Sequence, residues 1–203
     1  MADKILMNKN TLAALKGELK EYNTALPVFE MKEQQLKEVV QGIENNIARL
    51  QGAVAEVNAE VQEWIGVMAG EGPDFSILLQ VARIATEKRE VAGAAIEEFE
   101  DIVYEEREVD PFDTPLWVDA ALEVLRDQRT NHILLDMEKR NLELLREELA
   151  EARRMKNALK EVFIPETRDN IRKIEIYLGD VERLAIGCAK LVKKKKLERS
   201  STA

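Results

Sequence analysis

Few residues of this chain have the chemistry that catalysis or metal binding requires. His132 is its only histidine and Cys188 its only cysteine. A structural or catalytic metal needs several such donors at ligand spacing, and neither residue has a companion. His132 reads as a surface residue. Cys188 sits at an apolar-repeat position and reads as a small filler. The turn Gly70-Glu71-Gly72-Pro73-Asp74 raises the phosphate-loop question, but the Gly-Lys-Ser/Thr that must follow is missing. Carboxylates are plentiful, yet they lie along helical stretches and none is set up as an acid–base couple. The sequence therefore predicts no catalytic residue, no cofactor and no metal. Two charge clusters remain. Glu97, Glu98, Glu100, Asp101, Glu105, Glu106, Glu108 and Asp110 face Arg107 alone, either as a solvated face or as a dock for a basic partner. Lys193-Lys194-Lys195-Lys196 either complements the negative end of a helix dipole or enters an acidic collar.

The elements that carry these residues are long helices. Steps of three and four from Leu12 land on Leu15, Leu19, Tyr22, Leu26, Phe29, Glu33, Leu36, Val40, Ile43, Ile47, Leu50, Val54, Val57, Val61, Trp64 and Met68. Only Glu33 interrupts this apolar series. A 3.5-residue repeat held over about eight heptads specifies a helix with a narrow seam against a partner, supercoiled to the left. At ~1.5 Å per residue the rod is roughly 85 Å long. Asn8 or Asn10 can cap its start, and Pro27 lies in register and predicts a kink rather than an end. The breaker cluster at Gly70 closes a first helix over residues 8–69.

Residues 70–128 form a middle segment, within which the period changes from Ile77 to Val109. Val81–Glu87 and part of Val91–Ala95 alternate, and Phe99, Ile102 and Tyr104 suggest a third strand, so a small β-hairpin element is expected here. A Pro111–Pro115 loop precedes a short helix from Leu116 to about Asp127. The second long helix spans 129–197, with residues 198–203 as a disordered tail. Its seam reads Leu142, Leu145, Leu149, Ala152, Lys156, Leu159, Phe163. Beyond Pro165 it reads Ile164, Thr167, Ile171, Ile174, Leu178, Val181, Ala185, Cys188, Val192. The frames differ by one residue, a slip assigned to the proline.

Two seams joined by a compact middle pair only if the chain doubles back. The expected fold is mainly α: a long antiparallel two-helix left-handed coiled coil, one elongated unit, with a middle segment containing a β-hairpin and a short helix. Setting Met68 level with Arg129 makes facing residue numbers total roughly 198 and puts Leu50 beside Leu149. Ile133, Met137 and Leu144 share a face off the seam, which the 77–127 segment or a separate partner must cover. Charged residues at 34%, aromatics at 5% and a net charge of −9 fit a thin core and argue against nucleic acid. One cysteine fits a reducing compartment. No apolar run is long enough to span a membrane and Met1–Asn10 is not patterned as a signal peptide, so a cytoplasmic location is expected.

Three stretches give the chain a family likeness. Asn8-Lys9-Asn10-Thr11-Leu12 leads into Leu26-Pro27-Val28-Phe29-Glu30-Met31-Lys32 and Leu36. Val91-Ala92-Gly93 and Asp113-Thr114-Pro115-Leu116-Trp117 mark the middle. Asn157-Ala158-Leu159-Lys160-Glu161-Val162-Phe163-Ile164-Pro165 precedes Ile171-Arg172-Lys173-Ile174-Glu175-Ile176-Tyr177-Leu178. Together they resemble the D subunit of V-type (V/A-type) ATPases over essentially the whole chain. Glu30, Met31 and Ala25 depart from the common pattern and suggest a divergent bacterial branch. The resemblance implies a non-catalytic central rotor shaft. Its tip, Lys193, Lys194, Lys195 and Lys196, would enter a ring of A and B subunits. A regulatory F subunit would bind lower down, for which Ile133, Met137, Leu144, Phe112 and Trp117 are candidates. The middle segment would meet a socket subunit of C/d type above the membrane rotor, with no direct membrane insertion, at the inner membrane's cytoplasmic side. The pumped ion, proton or sodium, is not written in the sequence. A free-standing coiled-coil adaptor or tether is the alternative function.

Overall fold

The computed structural model describes residues 6–68, 74–105, 115 and 117–201, with backbone alone for 63–65, 67, 68 and 198–201. The chain is mainly helical around one hairpin, in the order α1 (Lys9–Met68), α2 (Phe75–Leu78), β1 (Val81–Val91), β2 (Ala94–Tyr104), α3 (Trp117–Ala158), a π-helical turn (Leu159–Phe163) and α4 (Ile164–Ser201). It packs as two units, residues 1–31 with 152–203 and residues 32–151.

α1 starts where a cap is available. The Asn8 Oδ1 accepts the Thr11 N–H at 2.7 Å, satisfying one of the helix's four orphan donors. Pro27 lies within the helix without ending it. In the turn before it, the Asn23 and Thr24 side chains donate to the Leu19 and Lys20 carbonyls at 2.6 and 2.9 Å. Every expected seam position from Leu12 to Val61 is buried or half-buried, Glu33 included. Glu33 tolerates that environment because the Lys37 ammonium lies 2.7 Å from its carboxylate. Trp64 and Met68 belong to α1, but their side chains lie outside the described residues.

In the unit of residues 32–151, α1 and α3 run antiparallel. Asn58 accepts from Gln128 at 2.8 Å, and Arg146 donates to Glu44 at 2.7 Å. Leu36, Leu145 and Val118 are among its most deeply buried side chains. In the other unit Lys16 pairs with Glu175 at 2.6 Å, Lys9 with Glu182 at 3.5 Å, and Tyr22 stacks on Phe163 with ring centres 5.7 Å apart.

Four expectations change. The second long helix starts at Trp117, not Arg129, so residues 117–127 are its first turns and the short helix of the middle segment is Phe75–Leu78. The additional turns shift the register accordingly. The numbers of Asn58–Gln128 and Glu44–Arg146 total 186 and 190 rather than 198, and Leu50 does not lie beside Leu149. The expected third strand is absorbed into β2, because the turn at Ala92-Gly93 makes two strands of eleven residues each. Finally, α4 continues to Ser201, past the expected end at Leu197. Expectations placed on Gly70–Pro73, Phe112 and residues 202–203 fall outside the described residues.

Candidate functional site

The hairpin is the first of three regions the sequence marked. Val91 pairs with Ala94 across the two-residue turn, where Ala92 (φ 50°) and Gly93 (φ 86°) both take left-handed backbone. Two positive φ values match the right-handed twist of the flanking strands, though Ala92 bears a steric cost there that glycine avoids. A two-stranded ribbon is marginal by itself and needs a surface to lie on. α3 supplies it. Asn141 is 3% exposed; its Oδ1 accepts the Glu97 N–H at 3.1 Å and its Nδ2 donates to the Glu97 carbonyl at 2.7 Å. One amide thus stands in for a missing third strand at the outer edge of β2. At the other end the Tyr104 hydroxyl donates to the Arg126 carbonyl at 2.8 Å and lies 3.1 Å from Thr130 Oγ1, with the Arg126 guanidinium 5.3 Å above its ring.

This docking accounts for part of the surplus apolar face. Met137 is 5% exposed and lines a groove of about 530 Å³ together with Ile96 and Phe99 of the hairpin. Ile133 is half-buried and Leu144 is 50% exposed. Met137 is therefore core rather than partner surface, as the hairpin supplies the covering element. Trp117 is half-buried, 6.0 Å centre to centre from Phe75 at the head of α2. In the same groove burial pushes the Glu138 carboxyl above its ordinary range, against the opposing hydrogen bond from Asn46, and the nearby Glu98 charge pushes it further. Glu98 itself pairs with Arg89 at 3.0 Å, so the acidic strand is partly answered by its neighbour. At α2, hydrogen bonds from Ser76 hold Asp74 below its usual range, as suits a cap whose carboxylate accepts the Ser76 N–H at 2.9 Å.

The seam is the second region. Besides the α1 positions, Leu149, Leu159, Ile171 and Ile174 are buried, Leu178 is half-buried and Val181 is exposed. Sequence reasoning missed Lys32 and Glu148, which meet at 3.0 Å across the helix pair. Their i+4 neighbours gave no sign of this, because a contact between helices depends on register.

The third region is the end of α4. α1 begins at Lys9, whose ion pair with Glu182 is level with the last α4 residue it can face. Beyond that level Leu184, Ile186, Leu191 and Val192 are 57–70% exposed. Cys188, expected as a seam filler, is exposed too, since no residue of α1 lies opposite to receive it. Lys193, Lys194, Lys195 and Lys196 close this segment on exposed positions.

His132 is exposed, and among the described residues no group of three or more His, Cys, Asp or Glu side chains could hold a metal ion. No helix among them is long and apolar enough to cross a membrane.

Comparison with known proteins fits this arrangement to a family. The family profile described as the ATP synthase D subunit matches residues 11–194. The V-type ATP synthase D subunit of Borreliella burgdorferi is 31% identical over 97% of both chains. Its counterpart in Chlamydia felis is 29% identical over 98% of this chain and 97% of its own, and that of Chlamydia trachomatis 26% over 96% and 97%. With nearly the whole length matched, long helices flanking a single docked hairpin, and bacterial relatives matched over nearly their own full length, the chain belongs to the ATP synthase D-subunit family.

Proposed function

We propose that this chain is the central rotor shaft of a V/A-type ATPase, carrying torque between a ring of nucleotide-binding A and B subunits and the ion-transporting rotor in the membrane. It is a non-catalytic subunit on this reading, located on the cytoplasmic side of the inner membrane. Its further partners are a regulatory F subunit and a socket subunit of C/d type.

The observation that carries the reading is the end of α4. A helix that outruns its partner and still exposes Leu184, Ile186, Leu191 and Val192, followed by four lysines, is built to be enclosed by something else. A sleeve with an apolar lining and an acidic rim has the matching chemistry. Leu144, half exposed on α3 beside the docked hairpin, is the most accessible candidate for the F subunit among the described apolar residues named for it, with Ile133 and Trp117 half-buried.

Truncation after Glu182 tests this. The shortened chain should keep both helix pairs and melt within a few degrees of the full one, because the removed segment buries little. It should no longer assemble with the nucleotide-binding subunits into an ATP-hydrolysing complex. Full assembly by the truncated chain would move the ring contact elsewhere. If the full chain joins no such complex under any condition, the adaptor reading takes its place.

A further inference from the structure

The buried positions of the unit formed by residues 1–31 and 152–203 contain one irregular interval. Ala152, Leu159, Ile164, Thr167, Ile171 and Ile174 follow one another by seven, five, three, four and three residues. Only the step from Leu159 to Ile164 departs from a heptad pattern, and it coincides with the π-helical turn Leu159–Phe163. That turn absorbs one extra residue. Without it Phe163 would enter the seam in place of Ile164, and Glu166, Asn170 and Lys173 would follow. One turn earlier is equally barred, because Lys160 would then replace Leu159. The sequence thus pins the wide turn to a single place.

The turn is also sparsely held. The Ile164 N–H reaches back five residues to the Leu159 carbonyl. Pro165 comes next and has no N–H to continue the ladder. Lys160, Glu161, Val162 and Phe163 are all exposed. Across the helix pair, the Phe163 ring is braced by Tyr22.

A rod under torque twists most where its hydrogen-bond ladder is weakest. We propose that the π turn Leu159–Phe163 is a built-in torsionally soft point of the shaft, placed by a one-residue mismatch in the seam; this rests on the rotor reading for its use, though not for its existence. Deleting Val162 removes the extra residue and lets the seam run 159, 163, 166, 170, 173 in the new count, with the same apolar side chains facing α1.

Hydrogen exchange on the full chain gives the first readout. Amides of residues 161–164 should exchange at least about tenfold faster than those of 171–174, as expected for a locally weak segment. Deletion of Val162 should bring the two windows within about threefold of each other, while Pro165→Ala, which restores a donor but keeps the mismatch, should leave the fast window in place. The second readout is the angular spread of a probe fixed to the shaft in the reconstituted complex held at rest, which the deletion should narrow. Equal protection of both windows in the parent chain overturns the proposal. So does loss of helicity in the deleted chain, or abolition of the fast window by Pro165→Ala alone. A protected window with an unchanged angular spread overturns the mechanical role and leaves the rotor reading standing. A chain that joins no rotary complex overturns the rotor reading and with it the soft point's use, while the exchange data still decide whether the turn is soft.

Discussion

Two side chains decide how the hairpin sits on the coil, and they differ in kind. Asn141 satisfies the backbone of Glu97 in both directions from a nearly fully buried position. Asn141→Ala takes the partner from the part-buried N–H and carbonyl of Glu97 together, which costs about 2 kcal/mol. For a chain of this size that lowers the melting temperature by about 4–8 °C, measurable by circular dichroism, with the loss of protection confined to the hairpin in hydrogen exchange. Glu138 works in the other direction. Burial beside Glu98 raises its pKa even with the Asn46 hydrogen bond, and Arg89 on the facing strand is engaged by Glu98. The folded state therefore holds the Glu138 proton more tightly than the unfolded chain does. The stability linked to that proton is fully present at acid pH and is lost as pH rises through the folded value. Glu138→Gln keeps an amide that can bond Asn46 and removes the charge. It should raise the melting temperature by about 1–2 °C at pH 7–8, and the gain should vanish below about pH 4, where the parent carboxyl is protonated.

At the scale of elements, register is the property most easily misjudged from sequence and most cheaply checked. The seam of α1 and most of the second one up to Leu178 were legible, because apolar spacing is local. Their alignment depended on where α3 begins, and an apparent loop and short helix concealed that start. With α3 starting at Trp117, Leu50 is roughly 15 Å along the axis from Leu149 at ~1.5 Å per residue. In a Cys188→Ala background, Glu44→Cys with Arg146→Cys should be joined within one chain by a short bismaleimide spanning about 8–10 Å, the spacing of packed helices, whereas Leu50→Cys with Leu149→Cys should not. The reverse result on denaturing gels would restore the register that the sequence suggested. The seam also explains why two residues of like phase behave differently in α4. Ile174 has no exposed surface, whereas Val181 is 44% exposed just before the helix outruns α1. The same type of residue at the same heptad phase contributes packing in one place and accessible surface in the other.

For the whole molecule, the property that would separate a shaft from an adaptor is stiffness where no partner touches. Val54 is buried and Val57 half-buried on α1, within the α1–α3 pair. Replacing both by Ala removes buried methyl groups at a cost of about 1–3 kcal/mol and leaves the exposed surfaces in place. The reconstituted complex should still assemble and hydrolyse ATP, but the number of ions moved per ATP in sealed vesicles should fall. An unaltered ratio in a complex whose isolated shaft demonstrably melts earlier would show that coupling does not depend on the rigidity of this pair.

The sequence by itself determined the class of fold, the seam of α1, the second seam as far as Leu178 apart from Phe163, the presence of a hairpin and the one-residue slip near Pro165. Each of these follows from apolar period, from turn chemistry or from a proline, which act over a few residues. It also carried the family, because the motifs at Asn8, Asp113 and Asn157 are contiguous strings. Only the tertiary structure decided that the slip is taken up by a π turn rather than by the proline, since the choice depends on which of Phe163 and Ile164 fits opposite α1. Packing likewise settled that Met137 is buried beside the groove between α1, α3 and the hairpin, that Asn141 stands in for a third strand, and that Cys188 has no residue of α1 opposite it. These depend on which elements meet and at what level. A residue's neighbours across a helix pair are set by the start of the other helix, and that start is a single local event far away in the chain.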